Sequence, residues 1–294
     1  MLLIGEPATG KTQLLKFAHK LSNKAIWTTG MGCSSAGLTV TACKVNFEWV
    51  FEASALVLAD GGICCIDDFH LMKKDDRNAI HEAMEQQTVS LAKAGMICHL
   101  NTRATILAAT SISKGLKYDF NKDLEVNTGL SSSLLSRYDL IFIMTHKYDS
   151  ALLLEILQTH KEGVTNLWGL RKLKHYIAAA QNKSPTLSTE AQNIFTKYFS
   201  YIRENEFVHK DRKTVRFLEG IIRLGHAHAR LMYRDEVTLF DAVMIYLMEF
   251  TLKTGMFQTE EWIDSMEGYI LIEEMCLKQL KTSAKALKKK SMSP

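Results

Sequence analysis

The sequence predicts an α/β domain built on a mainly parallel sheet with helices on both faces, followed by a separate helical domain. Three observations predict it. Continuous apolar runs of strand length alternate with helical patterns up to about residue 144. The first of these runs leads into GEPATGKT, which has the form GxxxxGK(S/T) at the strand-to-helix junction that a phosphate-binding loop requires. From about Pro185 onward the strand-like runs stop and amphipathic helical patterns take over.

In chain order, MLLIG is an apolar strand and QLLKFAHKL carries helical periodicity directly after the loop. ALVLAD, GICCID, ATILAAT and LIFIM are further runs of β-compatible length, and continuous rather than alternating apolarity is what burial on both sheet faces produces. QQTVSLAKAGMICHL alternates apolar and polar residues on both sides of Lys93, Ala94 and Gly95, which predicts a β-hairpin with a lysine at its tip. Beyond Pro185, TEAQNIFTKYFSYIRE, TVRFLEGIIRLGHAHARLM and TLFDAVMIYLMEF predict helices without strands. Thr238, with Asp241 three residues on, has the form of a capping box. In the second of these helices Arg216, Arg223 and Arg230 share a heptad spacing and one face, with Val215, Leu218 and Ile222 lining another. The expected division is a core over residues 1–147, a connector over 148–185, a helical lid over 186–253, and an extension over 254–294 with a basic tail. A buried strand rarely opens a domain, so the sequence is expected to be a piece of a longer chain.

The 294 residues, 47% hydrophobic and 23% charged, suffice for a sizeable core. No apolar run reaches the roughly 18 to 20 residues of a membrane span. The six cysteines form no CxxC pair, and Cys64 and Cys65 fall inside an apolar strand, so they read as buried thiols in a reducing compartment, cytosol or nucleus. A net charge of +4 does not by itself point to nucleic acid, which argues against a generic DNA-binding module. The tail KTSAKALKKK is locally basic and reads first as a solvated segment, second as a nuclear-import or DNA-contacting one.

The chemistry concentrates at two places. In a loop of the form Gly5, Glu6, Pro7, Ala8, Thr9, Gly10, Lys11, Thr12, backbone amides cradle phosphates, the lysine reaches the terminal ones and the Thr12 hydroxyl ligates magnesium. GGICCIDDFH ends an apolar strand in two carboxylates. Asp67 suits magnesium, and Asp68 stands where a group orienting the attacking water belongs. Asp68 is one methylene shorter than glutamate, a retreat of about 1.5 Å, and a misplacement of ~1 Å can cost on the order of a hundredfold in rate.

Residues 28–44 (TTGMGCSSAGLTVTACK), 52–72 (EASALVLADGGICCIDDFHLM), 81–110 and 134–144 (LLSRYDLIFIM), with 214–242 in the helical part, closely resemble the minichromosome maintenance (MCM) family of AAA+ helicases. Within the family, the lid and the connector stretch LWGLRKLKHYIAAAQNKSPTLS are most similar to the ninth paralogue group, associated with homologous recombination alongside the eighth. The resemblance implies an AAA+ P-loop core with a helical lid, ATP and Mg2+ as cofactors, and a nuclear protein of DNA replication or recombination repair. It implies a ring, a hexamer of MCM-type subunits with the eighth paralogue among the candidate partners, acting on single-stranded or forked DNA in its channel. Arg137 would be the arginine finger that acts on a neighbour's nucleotide, and Arg216 the second sensor arginine. Lys93 would contact DNA from the presensor hairpin, and Lys44 from the helix-interrupting insertion at CSSAGLTVTACKVNFEWVFEA. The chain departs from the family at two places: Asp68 replaces glutamate, and Ser111 with Ile112 replaces the first sensor asparagine and its proline. Both lie on the hydrolytic half of the site, which leaves two readings, an ATP-driven helicase subunit or an ATP-binding, hydrolysis-poor structural subunit.

Overall fold

The computed structural model describes residues 1–31, 40–45, 48–53, 55–93, 96–113, 117–119, 122–145, 168–204 and 214–254. The chain divides into two units, Met1–Tyr176 and Ile177–Pro294. The expectations for residues 32–39, for most of the connector and for the extension with its basic tail lie outside the described residues.

The chain begins β1 (Leu2–Gly5), α1 (Lys11–Leu21), β2 (Ala25–Thr29), β3 (Val40–Val45), β4 (Glu48–Ala53), α2 (Ala55–Leu58) and β5 (Ile63–Asp67). A 3₁₀ turn at Phe69–Leu71, α3 (Lys74–Gln86), β6 (Thr88–Lys93), β7 (Met96–Asn101), β8 (Thr105–Ser111), α4 (Leu124–Thr128), α5 (Ser132–Leu135) and β9 (Ile141–Met144) follow. Five of the strands form one sheet in the order β2-β5-β8-β1-β9, every neighbouring pair parallel. Alternate residues serve its two faces. Leu2, Ile4, Cys64, Ile66, Ile106 and Ala108 join one core cluster, while Leu3, Cys65, Leu107 and Ala109 pack on the other side with Leu15 of α1. That is the physical origin of the unbroken apolar runs. Cys64 and Cys65 are both fully buried, as expected, and burial pushes the Cys65 thiol up to about 11.

The sheet departs from the sequence reading at two of these runs. ALVLAD is not a strand: Ala55–Leu58 is helical, with Leu56 and Ala59 in the core and Leu58 half exposed. Burial every third residue is a helical demand, and a short apolar run is compatible with either structure. Conversely AIWTT, too mixed in polarity to stand out, is the edge strand β2. The expected hairpin forms as β6–β7, antiparallel from Thr88↔Asn101 to Lys93↔Met96. A second hairpin, β3–β4, pairs Val40↔Ala53 through Val45↔Glu48 within the stretch assigned to the helix-interrupting insertion.

Helix α6 (Leu170–Gln181) follows, and the second unit contains β10 (Thr186–Leu187), α7 (Thr189–Glu204), α8 (Val215–Leu231), β11 (Glu236–Val237) and α9 (Leu239–Thr254). The expectation of helices without strands is corrected by the parallel pair β10–β11. Two residues per strand are too few to leave a periodic trace in sequence. On α8 the buried positions are Gly220, Ile221, Gly225 and Ala229, with Leu218 and Ile222 flanking them. Val215 is instead 63% exposed in the first turn, and Arg216, Arg223 and Arg230 are all exposed.

The cap at the start of α9 forms around a fully buried carboxylate. Asp241 accepts from the Thr238 N–H at 2.7 Å and hydroxyl at 2.9 Å, and pairs with His228 at 2.7 Å and Arg234 at 3.1 Å. Burial pushes its pKa up, but the Thr238 and His228 hydrogen bonds and the Arg234 charge outweigh this and hold it below the ordinary 3.8. The resulting stabilisation is complete above that ordinary value and is lost as pH falls through the lower folded one. Asp241→Ala leaves His228 and Arg234 without their shared acceptor. It is expected to cost the second unit about 3 kcal/mol, read as a lower urea midpoint of its unfolding transition, with the deficit shrinking in acid.

Candidate nucleotide site

Strand β1 ends at Gly5, in register with Ser111 of β8 on one side and Met144 of β9 on the other. A Cβ on Gly5 would lie 2.2 Å from the Met144 carbonyl oxygen, so no other residue lets the strands close here. The chain then turns through Glu6 to Thr9, with Ala8 at φ 63°, and enters α1 through Gly10 at φ 83°, a left-handed conformation that suits glycine. Among the described residues no side chain caps α1, and its first turn holds no acidic residue, so its positive dipole end faces no side-chain competitor for an anion.

Lys11 is the first residue of α1, and its side chain doubles back into the loop with only 8% of the residue exposed. Its Nζ donates to the carbonyls of Gly5 at 3.0 Å and Glu6 at 2.5 Å and to the Thr9 hydroxyl at 3.1 Å. Burial lowers the Lys11 pKa, opposed by the negative charges of Asp67, Asp68 and Glu6 in that order. The hydrogen bonds of this nearly buried ammonium go to neutral loop oxygens, while the two strand-end carboxylates act on it only through their charge. Phosphate oxygens could take over those hydrogen bonds, so the residues fit a nucleotide phosphate chain. Thr12 lies beside Lys11 in the same turn.

Asp67 ends β5 nearly buried; its Oδ1 accepts the Asp68 N–H at 3.0 Å and its carbonyl accepts the Gly30 N–H at 2.7 Å. Asp68 is exposed and takes φ 49°, ψ 47° at the head of the 3₁₀ turn, a left-handed conformation aspartate tolerates better than most residues. Ser111 ends β8, the strand between β5 and β1, so sheet order sets it between the carboxylate pair's strand and that of the loop. Its N–H donates to Nδ1 of His70 at 3.4 Å, and the His70 carbonyl accepts from Arg77 at 2.8 Å. His70 is a member of this site that sequence reasoning missed; its place two residues after Asp68 is the only sequence signal for it.

Arg137 follows α5 and is held within its own chain. It forms an ion pair with Glu85 of α3 and donates to the Ser133 carbonyl, with 13% of its side chain exposed. Glu85, unnoticed in the sequence, is therefore its partner here. Nearby on α3, burial and then the Arg137 charge lower the His81 pKa. Arg216 lies exposed in the first turn of α8, in the second unit. Lys44 sits opposite Trp49 in the β3–β4 ladder and Lys93 is the last residue of β6; the tip at 94–95 and both lysine side chains lie outside the described residues.

Residues 1–159 match the MCM P-loop domain and residues 171–249 the MCM AAA-lid domain. The chain is 49% identical over 259 residues to the probable DNA helicase MCM9 of Oryza sativa subsp. indica, covering 84% of this chain and 38% of that protein. Against the probable DNA helicase MCM9 of Arabidopsis thaliana it is 48% identical, with 84% and 40% covered. Against the minichromosome maintenance protein MCM of Saccharolobus solfataricus it is 40% identical over 252 residues, with 82% and 37% covered. The chain thus spans 37 to 40% of the length of these curated relatives.

Proposed function

The chain belongs to the minichromosome maintenance family, with the P-loop domain and the lid both present, and from that premise we propose that it is the ATPase core and lid of an ATP-driven DNA helicase subunit. The observation that carries this reading is the nearly buried Lys11 ammonium, enclosed by the loop's oxygens and faced by Asp67 and Asp68. Gly5 to Lys11 hold the phosphates of ATP, and the Thr12 hydroxyl with Asp67 would hold Mg2+, which when bound neutralises charge building on the phosphates. Asp68 and Ser111 orient the attacking water. Arg137 of one subunit and Arg216 of the lid neutralise transition-state charge, an effect that can be worth ~10³ to 10⁵ in rate for an arginine supplied in trans.

In this reading the subunit works in the nucleus, in a hexameric ring of MCM-type chains, and the eighth paralogue is the partner suggested by the recombination-associated branch. The likeness to relatives named MCM9 supports that branch over the replication licensing factors, to which identity is lower, 39% for the Xenopus tropicalis mcm6 protein. Residues 1–147 form the nucleotide-holding core, 148–185 the connector, 186–253 the lid and 254–294 an extension. Among the described residues no helix is long and apolar enough to cross a membrane. The test is displacement of a labelled strand from forked DNA by the full-length chain assembled with its ring partners. Unwinding that requires ATP and Lys11 supports the proposal, and none with any partner sinks it.

Lys93 and Lys44 reach DNA phosphates by charge alone. Lys93→Ala in the assembled ring is expected to weaken DNA binding equally for all sequences and to reduce the slope of log affinity against log salt by roughly one unit. An unchanged slope would return Lys93 to an ordinary solvated lysine. A second reading, that the chain binds ATP but supplies Arg137 to a competent neighbour rather than hydrolysing its own nucleotide, is favoured by the short carboxylate at Asp68 and by Ser111, whose main chain meets His70.

A further inference from the structure

We infer that Gly30 is a positioning residue for the carboxylate pair at the end of β5, setting where Asp68 stands because it has no side chain. Gly30 directly follows β2, the sheet-edge strand hydrogen-bonded to β5. Its N–H donates to the Asp67 carbonyl at 2.7 Å. A Cβ on Gly30 would lie 2.2 Å from the Asp68 carbonyl oxygen, 3.0 Å from its carbonyl carbon and 3.3 Å from the Met72 nitrogen. All three are backbone atoms, so no flexible side chain can swing aside. Gly30 is not among the positive-φ glycines; space, not conformation, demands glycine here.

The crowded carbonyl is already committed. It accepts the Leu71 N–H at 3.0 Å, which closes the 3₁₀ turn carrying His70 onto the end of β8. Pushing it away moves Asp68 from its left-handed perch and, through the turn, loosens the His70 contact with Ser111. The phosphate-holding loop lies beyond two intervening strands, β5 and β8. A side chain at Gly30 therefore disturbs the site at Asp68 and spares the phosphate-holding loop.

This inference rests on the reading of Asp68 as the water-orienting carboxylate, and the experiment separates the two. Gly62 provides a matched control, since a Cβ there would lie 2.3 Å from the Lys24 carbonyl oxygen, between the same two strands at their opposite end. Gly30→Ala, Gly62→Ala, Asp68→Ala and Gly30→Ala with Asp68→Ala are compared in partner-assembled rings of the full-length chain, with the two glycine variants also made in an Asp68→Glu background. Phosphate release, affinity for a fluorescent ATP analogue and the thermal midpoint are measured. Gly30→Ala is expected to lower kcat roughly ten- to hundredfold, as a displacement of about 1 Å does, with analogue affinity and KM within about twofold. Gly62→Ala is expected to lose a similar amount of thermal stability with kcat nearly unchanged, and adding Gly30→Ala to Asp68→Ala to cost little more. Equal kcat losses in the two glycine variants, undiminished turnover in Gly30→Ala, weakened nucleotide binding, a full further loss on top of Asp68→Ala, or a Gly30→Ala chain that does not fold would each overturn the inference. If Asp68→Ala keeps full turnover, or neither background turns over, the reading of Asp68 itself fails and takes Gly30 with it.

Discussion

Lys11→Ala is expected to reduce affinity for ATP by more than about a hundredfold, the loss of roughly 3 kcal/mol that follows when a charge-assisted partner of the terminal phosphates disappears. The fold is expected to survive, because among the described residues the ammonium donates to the loop itself, to Gly5, Glu6 and Thr9. Removing the charge also removes a desolvation cost that the folded chain carries without nucleotide. Burial has already lowered the Lys11 pKa, and the phosphates that would favour the charged form raise it again on binding. Binding therefore takes up a proton near and above the lowered value, and affinity should fall as pH rises through it, before reaching the 10.5 of an ordinary lysine. Titration of a fluorescent ATP analogue across alkaline pH, with the unfolding midpoint followed alongside, reads both effects. Unchanged affinity in Lys11→Ala would remove the phosphate-loop assignment and with it the proposed function.

The second large effect concerns turnover. If the short carboxylate of Asp68 and the hydroxyl of Ser111 limit hydrolysis, Asp68→Glu in a partner-assembled ring should raise kcat about ten- to hundredfold with little change in ATP affinity. The added methylene advances the carboxylate toward the water and touches none of the groups that hold the phosphates. The left-handed backbone at Asp68 limits this gain, since aspartate tolerates φ 49° better than glutamate does. Ser111→Asn should raise kcat further, and more than additively if both groups hold the same water. Phosphate release is measured for the wild-type chain, each single variant and the pair. A wild-type rate of ~1 s⁻¹ or more, within the ordinary range for enzymes, with no gain from Asp68→Glu, would make Asp68 a sufficient group and sink the hydrolysis-poor reading. A slow wild type that neither change improves would place the limitation away from these two residues.

Features whose cause is local were legible in the amino-acid order. The loop from Gly5 to Thr12, the carboxylates closing the GICCID strand, the alternation that makes β6 and β7 a hairpin, and the cap between Thr238 and Asp241 are all set by residues within a few positions of one another. A buried strand must be apolar on both faces and a helix start must satisfy its amides, so such elements mark the chain wherever they occur. Which segments oppose one another was settled by packing. Leu56 and Ala59 turned the ALVLAD run into a helix because the core receives one side of it. The order β2-β5-β8-β1-β9 set Ser111 between the strand of the carboxylates and the strand of the loop, and His70 met it across 41 residues of chain. Glu85 met Arg137 across 52 residues, and Gly30 came up against the Asp68 carbonyl. Periodicity records which side of an element is buried, but contacts between distant segments leave no period in either one. They arise only when sheet order and helix packing bring the two faces together.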